Sequence, residues 1–449
     1  MSSTGALSRG FRSPVRDRSE PRLGSVPLWE TAFVCAGLFL STNAVMPLLF
    51  GATDSQSPVP ATDPISHRAW LLVFLLVVIG SVRIADQIFA ATVRNVGLVA
   101  ICYIALVSTI WSAVPSLTLK NSLELTFSTF FGLYVGVRFG VVRLVAMIAW
   151  TTGAITLLSI LFALALPRYG LDPAHGEVWR GVFTQKNELG RVMVVGLVVW
   201  IIRTLTGETK RVTGVAMAAA AAVVGLESGS RTALGVGGLM IGVFLMAWLL
   251  SRPDRRLVPV KGLIVSALVL VTVTSILNLK LLLAVVGSDY SLTGRAGIWK
   301  AVWAAVKVHA WIGYGYGGFW GWPDGPSVAV ARAAGTLTPH SHNGYLDLLL
   351  DLGAVGFAAT VAALWTVWRR ALALLRDGVD SARWFPFVYL SLLLLYNATE
   401  SSLVRGKFFM WIVFAGLAGA LTVGTRPEEA SVEAPAAGQV LHPVGPSRP

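Results

Sequence analysis

Apolar stretches long enough to cross a bilayer recur along this chain from residue 27 to residue 424, and no other feature limits its folding so severely. A helix needs about 20 apolar residues to cross roughly 30 Å of hydrocarbon. Inside hydrocarbon every backbone N–H and C=O must find its partner within the protein, which leaves only helices and closed barrels. The stretches are continuously apolar rather than alternating, and this selects helices. About twelve spans follow: 27 to 50, 69 to 89, 95 to 113, 117 to 137, 141 to 166, 188 to 206, 210 to 227, 232 to 250, 262 to 286, 343 to 367, 384 to 400 and 407 to 424. Composition agrees, with 55% hydrophobic and 13% charged residues among 449, far from the balance of a soluble globule. The predicted fold class is an all-α polytopic membrane protein.

The net charge of +13 does not call for nucleic acid, because the basic residues fall where they would orient helices. Arg9, Arg12, Arg16, Arg18 and Arg22 precede the first span, and Arg83, Arg94, Arg138, Arg143, Arg203, Lys210 and Arg211 fill alternate loops. Arg252 to Lys261 and Arg369 to Arg383 continue the alternation. These loops and both termini are expected to be cytoplasmic. The domain plan is a disordered tail at 1–26, a membrane domain at 27–424 and a second disordered tail at 425–449. Cys35 and Cys102 lie inside spans and imply no disulfide framework.

The remaining loops then face outward, and the longest, 287–342, is too long for a mere connection. It opens on "SLTGRAGIWKAVWAAVKV", where Ile298, Val302, Trp303, Val306 and Trp311 follow helical spacing with Lys300 and Lys307 opposite. That pattern predicts an amphipathic helix on the membrane surface, with Arg295 in its first turn. Next come Tyr314, Tyr316, Phe319, Trp320 and Trp322, interleaved with glycines. Such a segment can stack against sugar or form an interfacial aromatic belt, and the residues alone leave both readings open.

Three further clusters stand at outer ends of spans. "LESGSRTALG" puts Arg231 in a short turn, where it can pair with Glu227, reach lipid headgroups or clamp an anion bidentately. "RGVFTQKNELGRV" carries Lys186, Asn187, Glu188 and Arg191, with Glu188 and Arg191 expected to pair. In "NATESS", Glu400 is expected to pair with Arg405 or Lys407. Glu124, an intramembrane carboxylate that a transporter would need, has Lys120 one turn away.

The stretch "TPHSHNGYLDLLLDLGAVGF" sets His340, His342 and Asn343 at the mouth of the tenth span. Two histidines two positions apart, with no carboxylate or cysteine at suitable spacing nearby, predict no metal site. A neutral imidazole suits a general base. Asp347 and Asp351, one turn apart, can orient the histidine or pair inside the bundle, and the second role is the expected one.

Four motifs, "FTQKNELGR", "SGSRTAL", "SLTGRAGIW" and "HSHNGYLDLLLDLGAVGF", resemble the O-antigen ligase and polysaccharide polymerase superfamily, and "GYGYGGFW" resembles its exopolysaccharide polymerase branch. The related region covers about 180–370. The resemblance implies a GT-C-like, metal-independent glycosyltransferase without cofactors. It also implies action on a polyprenyl-diphosphate-linked oligosaccharide at the outer face of the cytoplasmic membrane. An acceptor glycan and the lipid bilayer would be its partners, with a flippase and a chain-length regulator as candidates. It makes His342 the essential histidine and Arg231 and Arg295 the two essential arginines, with Glu400 standing where ligases carry an acidic residue. His340, Asn343, Lys186, Arg191, Tyr316 and Trp320 complete the expected substrate-binding set. The expected activity is polymerisation of lipid-linked repeat units. Ligation to another acceptor is the nearest alternative, and a transporter or lipid flippase a more distant one.

Overall fold

The structure is a computed structural model, and it describes residues 26–45, 48–49, 64–250, 291–322, 324–334, 340–377 and 380–423. Both expected tails, Val26 excepted, and the span expected at 262 to 286 lie outside the described residues. In chain order the helices are α1 (Leu28–Leu40), α2 (Pro64–Ser81), α3 (Ala85–Arg94), α4 (Val96–Val107), α5 (Pro115–Ala165), α6 (Lys186–Leu205) and α7 (Arg211–Glu227). They continue with α8 (Arg231–Leu250), α9 (Ser291–Val308), α10 (Pro326–Ala334), α11 (Gly344–Asp377), α12 (Ser381–Asn397) and α13 (Phe409–Val423). A two-residue hairpin, β1 (Leu171–Asp172) with β2 (Val178–Trp179), is antiparallel.

Among the described residues, four stretches, Ile65–Arg94, Pro115–Ala165, Arg231–Trp248 and Gly344–Leu375, are long and apolar enough to cross a membrane. On α2 the apolar residues divide by face. Trp70, Val73 and Val77 are buried, while Leu71, Leu72, Leu75 and Ile79 stand at least half exposed. A stripe of that kind would drive aggregation in water, but in a bilayer it is simply the lipid-facing side. In contrast, α13 is apolar on every side and its buried residues include Met410 to Ala415, the signature of a central helix.

Two of these helices are interrupted at glycine. Gly140, at φ 70° and ψ 178°, breaks α5 between the expected fourth and fifth spans. Gly353, at φ 62° and ψ −163°, breaks α11 after its first nine residues, where the apolar run gives no hint of a break. Both lie in a backbone region open in practice only to glycine. At Gly353 the exposed helix ends are repaired by the glycine–aromatic segment. Tyr314 and Gly315 donate to the carbonyls of Leu350 and Asp351 (2.8 and 3.1 Å), and Ala354 and Val355 donate to those of Ala310 and Trp311 (2.8 and 3.1 Å). The glycines of "GYGYGGFW" thus serve close approach of the chain to itself. A Cβ on Gly313 would stand 2.5 Å from the Asp351 carbonyl carbon.

This docking changes the expected role of α9. Ile298, Val302 and Val306 do not rest on a membrane surface but pack with Tyr314, Phe319, Val330 and Leu350. Of the predicted apolar face only Trp303 and Trp311 remain exposed. At the far end of the bundle two half-buried arginines find partners. Arg138 bonds Glu30 through both oxygens (2.7 and 2.9 Å), and Arg370 bonds Asn95 and Thr422 (2.8 and 2.9 Å). The Arg138–Glu30 pair holds helix ends together because removing one partner strands the other in low dielectric.

Candidate functional site

At the other end, the turn after α12 carries Glu400. Its shape is set by Asn397, wholly buried, whose Oδ1 accepts the backbone N–H groups of Ser402 and Leu403 at 2.8 and 2.7 Å. The turn delivers the Glu400 carboxylate, 6% exposed, to a point where two other chain segments meet. Arg295, from the first turn of α9, donates Nη1 to the Thr399 carbonyl (2.7 Å) and Nη2 to Glu400 Oε1 (3.3 Å). On the opposite oxygen, His342 Nδ1 lies 3.5 Å and His340 Nε2 4.0 Å from Oε2. The two imidazole centroids are 4.2 Å apart. One carboxylate therefore divides its oxygens between a guanidinium and a pair of histidines.

His342 is held in a conformation that residues with a Cβ avoid, with φ at +54°. Its neighbours over-determine it. Trp299 of α9 donates its indole N–H to the Ser341 carbonyl (3.0 Å), and the Ser341 hydroxyl donates to the Asn343 carbonyl and accepts the Asn343 N–H (2.8 and 3.1 Å). Asn343 caps α11 by accepting the N–H groups of Tyr345 and Leu346 (3.0 and 3.2 Å). Asp347 accepts the Ser341 N–H (3.1 Å), the Trp320 indole N–H (2.9 Å) and the Ser401 hydroxyl. Asp347 thus takes the orienting role and fastens the histidine turn. Trp299, Asp347 and Asn397 belong to the site's framework. Only the short spacing of Asp347 from the histidines could have marked any of them in the sequence.

The local electrostatics follow from burial and charge. Burial raises the Glu400 carboxyl, but His342 beside it and the charge of Arg295 outweigh that effect and hold it below the usual carboxylate range. Burial, with His342 and Arg405 adding to it, pulls His340 down to about 3. His340 is therefore a neutral imidazole at any physiological pH.

Several expected partners are different. Glu400 bonds Arg295, not Arg405 or Lys407. Lys407 pairs with Glu124, in place of Lys120, because α13 begins beside the first turns of α5. Arg405 donates to the Ser401 carbonyl (3.1 Å). Arg191 lies over the Phe408 ring (4.3 Å), while Glu188 accepts from Thr184 (3.3 Å). Tyr316 is buried, its hydroxyl donating to the Val404 carbonyl (2.8 Å) and accepting the Gly406 N–H. Lys186, the first residue of α6, is half-buried.

Arg231 is exposed at the head of α8. Among the described residues its guanidinium has no ion pair with His342, Glu400 or Glu227. It neighbours the site only indirectly: Ser230 donates to Asn187 Oδ1 (2.9 Å), and Tyr396, one turn before Glu400, donates to the Asn187 carbonyl (3.4 Å). The expected meeting of two arginines and a histidine is thus found for Arg295 and His342.

Beside the cluster opens a cavity of about 230 Å³, with His340, Asp347, Trp320, Tyr316 and Asn121 in its wall. Its volume is on the scale of one sugar ring, and it combines flat aromatic surface with hydrogen-bonding groups.

Residues 215–361 match the model of a family described as O-antigen ligase. Over 349 residues, 74% of this chain and 78% of the relative, the sequence is 26% identical to the exopolysaccharide production protein ExoQ of Rhizobium meliloti (strain 1021). The matched region contains Arg231, Arg295, His340 and His342, and the chain is similar over it to the O-antigen ligase family.

Proposed function

We propose that the protein is a polymerase of exported polysaccharide, joining oligosaccharide repeat units carried on a polyprenyl diphosphate at the outer face of the cytoplasmic membrane. The observation that carries the reading is the convergence of Arg295, His340 and His342 on the two oxygens of Glu400, with a sugar-sized cavity adjoining. In this reading both termini and the arginine-rich end of the bundle are cytoplasmic. The whole membrane domain, 27–424, acts as one unit.

The chemistry is an inverting transfer without metal participation. Glu400 Oε2, 3.5 Å from His342 Nδ1, favours the tautomer protonated at Nδ1 and leaves Nε2 with a free lone pair. As the acceptor hydroxyl oxygen attacks the anomeric carbon, its proton passes to Nε2. The bond from that carbon to the diphosphate breaks on the opposite face, and the diphosphate departs with the electron pair. Arg295 spends two of its donors on Thr399 and Glu400 and keeps others for the growing negative charge. Arg231, His340, Asn343, Lys186, Arg191, Tyr316 and Trp320 remain the proposed substrate-binding and clamping set. Of these, Tyr316 and Trp320 act through the walls of the cavity.

Ligation to another acceptor is the second reading, favoured by the description of the matched family as O-antigen ligase. Purified protein incubated with a synthetic lipid-linked repeat separates the two. A ladder of products on the carrier indicates polymerisation, and single transfer to an added acceptor indicates ligation. His342→Ala should insert normally and lose about 10² to 10⁴ in rate. Wild-type product formation by that variant removes the base from the mechanism.

A further inference from the structure

The two histidines and Glu400 also have the make-up of a transition-metal site, one the spacing in sequence concealed because its carboxylate comes from a distant turn. We propose that His340, His342 and Glu400 bind a borderline-soft divalent cation of the Zn²⁺ class, and that its occupancy switches the transfer reaction off.

The donor set supports this directly. One ligand atom from each of the three residues lies within 4.8 Å of the other two. A tetrahedral Zn²⁺ with ligands at 2.0 to 2.2 Å sets neighbouring donors about 3.4 Å apart. His342 Nδ1 already stands 3.5 Å from Glu400 Oε2, whereas His340 Nε2, at 4.0 Å, must close by about 0.6 Å. His342 Nδ1 is buried and makes no well-aligned hydrogen bond, so a ligand there displaces no existing protein bond. Two imidazoles and one carboxylate favour Zn²⁺, Cu²⁺ or Co²⁺ over Mg²⁺ or Ca²⁺, which prefer all-oxygen shells.

The surroundings decide what kind of site this is. Arg295 holds the other oxygen of Glu400 at 3.3 Å, and its positive charge opposes a dication. The site is therefore a reversible one, filled when free metal rises, and not the seat of a resident cofactor. The inhibitory step rests on the transfer mechanism proposed above. Metal on His342 Nδ1 requires the ring proton at Nε2, so the Nδ1–H bond is lost and an Nε2–H bond forms by exchange with solvent, with no net proton release. Nε2 then has no lone pair for the acceptor's proton.

The test uses full-length protein in detergent, its purification tag removed, titrated with Co²⁺ and Zn²⁺. The expected result is one Co²⁺ per chain with visible d–d absorption of tetrahedral intensity, displaced by Zn²⁺ and lost with chelator. His340→Gln and Glu400→Gln should each weaken binding at least about tenfold. His175→Ala, which alters the separate His175–Asp172 pair, should leave it unchanged. The same Zn²⁺ concentrations should halve glycan transfer at the measured Kd, and chelator should restore it. Binding that survives both site variants, or that falls with His175→Ala, overturns the site. Binding as described without loss of transfer keeps the site and overturns its coupling to the base.

Discussion

Gly353→Ala tests the way the site is hung on the bundle. The residue sits at φ 62° and ψ −163°, where an alanine costs about 1–3 kcal/mol in backbone strain. A Cβ there would also stand 2.3 Å from the Trp311 carbonyl carbon, so the break cannot be kept while the glycine–aromatic segment stays docked. Four inter-segment backbone hydrogen bonds cross this junction, each contributing about 1 kcal/mol net. Losing them adds about 4 kcal/mol, enough to raise the opening equilibrium by about 10³. The expected outcome is local: amide exchange at Tyr314, Gly315, Ala354 and Val355 accelerates by roughly that factor, and glycan transfer falls because His342 is carried just ahead of the same short helix. Gly235→Ala in α8, where an added Cβ meets nothing within 4 Å, is the control and should change neither. Unaltered exchange at the four amides in Gly353→Ala would refute the argument that this glycine is what permits the docking.

Asn397→Ala should lower stability in detergent by about 2–4 kcal/mol, because two buried N–H groups lose their acceptor; an unchanged melting temperature contradicts this. His340 makes stability fall on acidification. Its folded value is about 3 against about 6.5 unfolded, so between those limits the unfolded chain takes up a proton the folded chain refuses, at up to about 1.4 kcal/mol per pH unit. Melts recorded in chelator from neutral to acid pH should show that slope, and His340→Gln should flatten it. Glu400→Gln keeps the shape but removes the charge facing Arg295 and His342. Transfer should drop at least about 10²-fold at normal membrane abundance, and near-normal transfer would dismiss the carboxylate as the organiser of the site.

How far the sequence could be read depended on the range of the forces involved. Helices such as α6, α7 and α8 stand where the apolar runs placed them, since crossing hydrocarbon is decided by each segment alone. The break at Gly353 was hidden because hydropathy runs unbroken through it, while its cause, four bonds to residues some forty positions earlier, is a tertiary matter. Partnerships misled for the same reason. Proximity in sequence pointed Glu400 to Arg405 and Glu124 to Lys120, but a turn shaped by Asn397 sends Glu400 to Arg295, and α13 brings Lys407 to Glu124. Arg295 and the histidines were legible because a resemblance named them. Their common carboxylate took its place only once three distant segments had been set side by side.

The order in which ribosomes make these segments has its own consequence. Arg295, the histidine pair and Glu400 emerge in that sequence, and Glu400 arrives only with the turn that precedes α13. Until α13 threads in beside α5, the imidazoles and Arg295 lack the carboxylate that joins them. The site is thus incomplete in every partly inserted precursor.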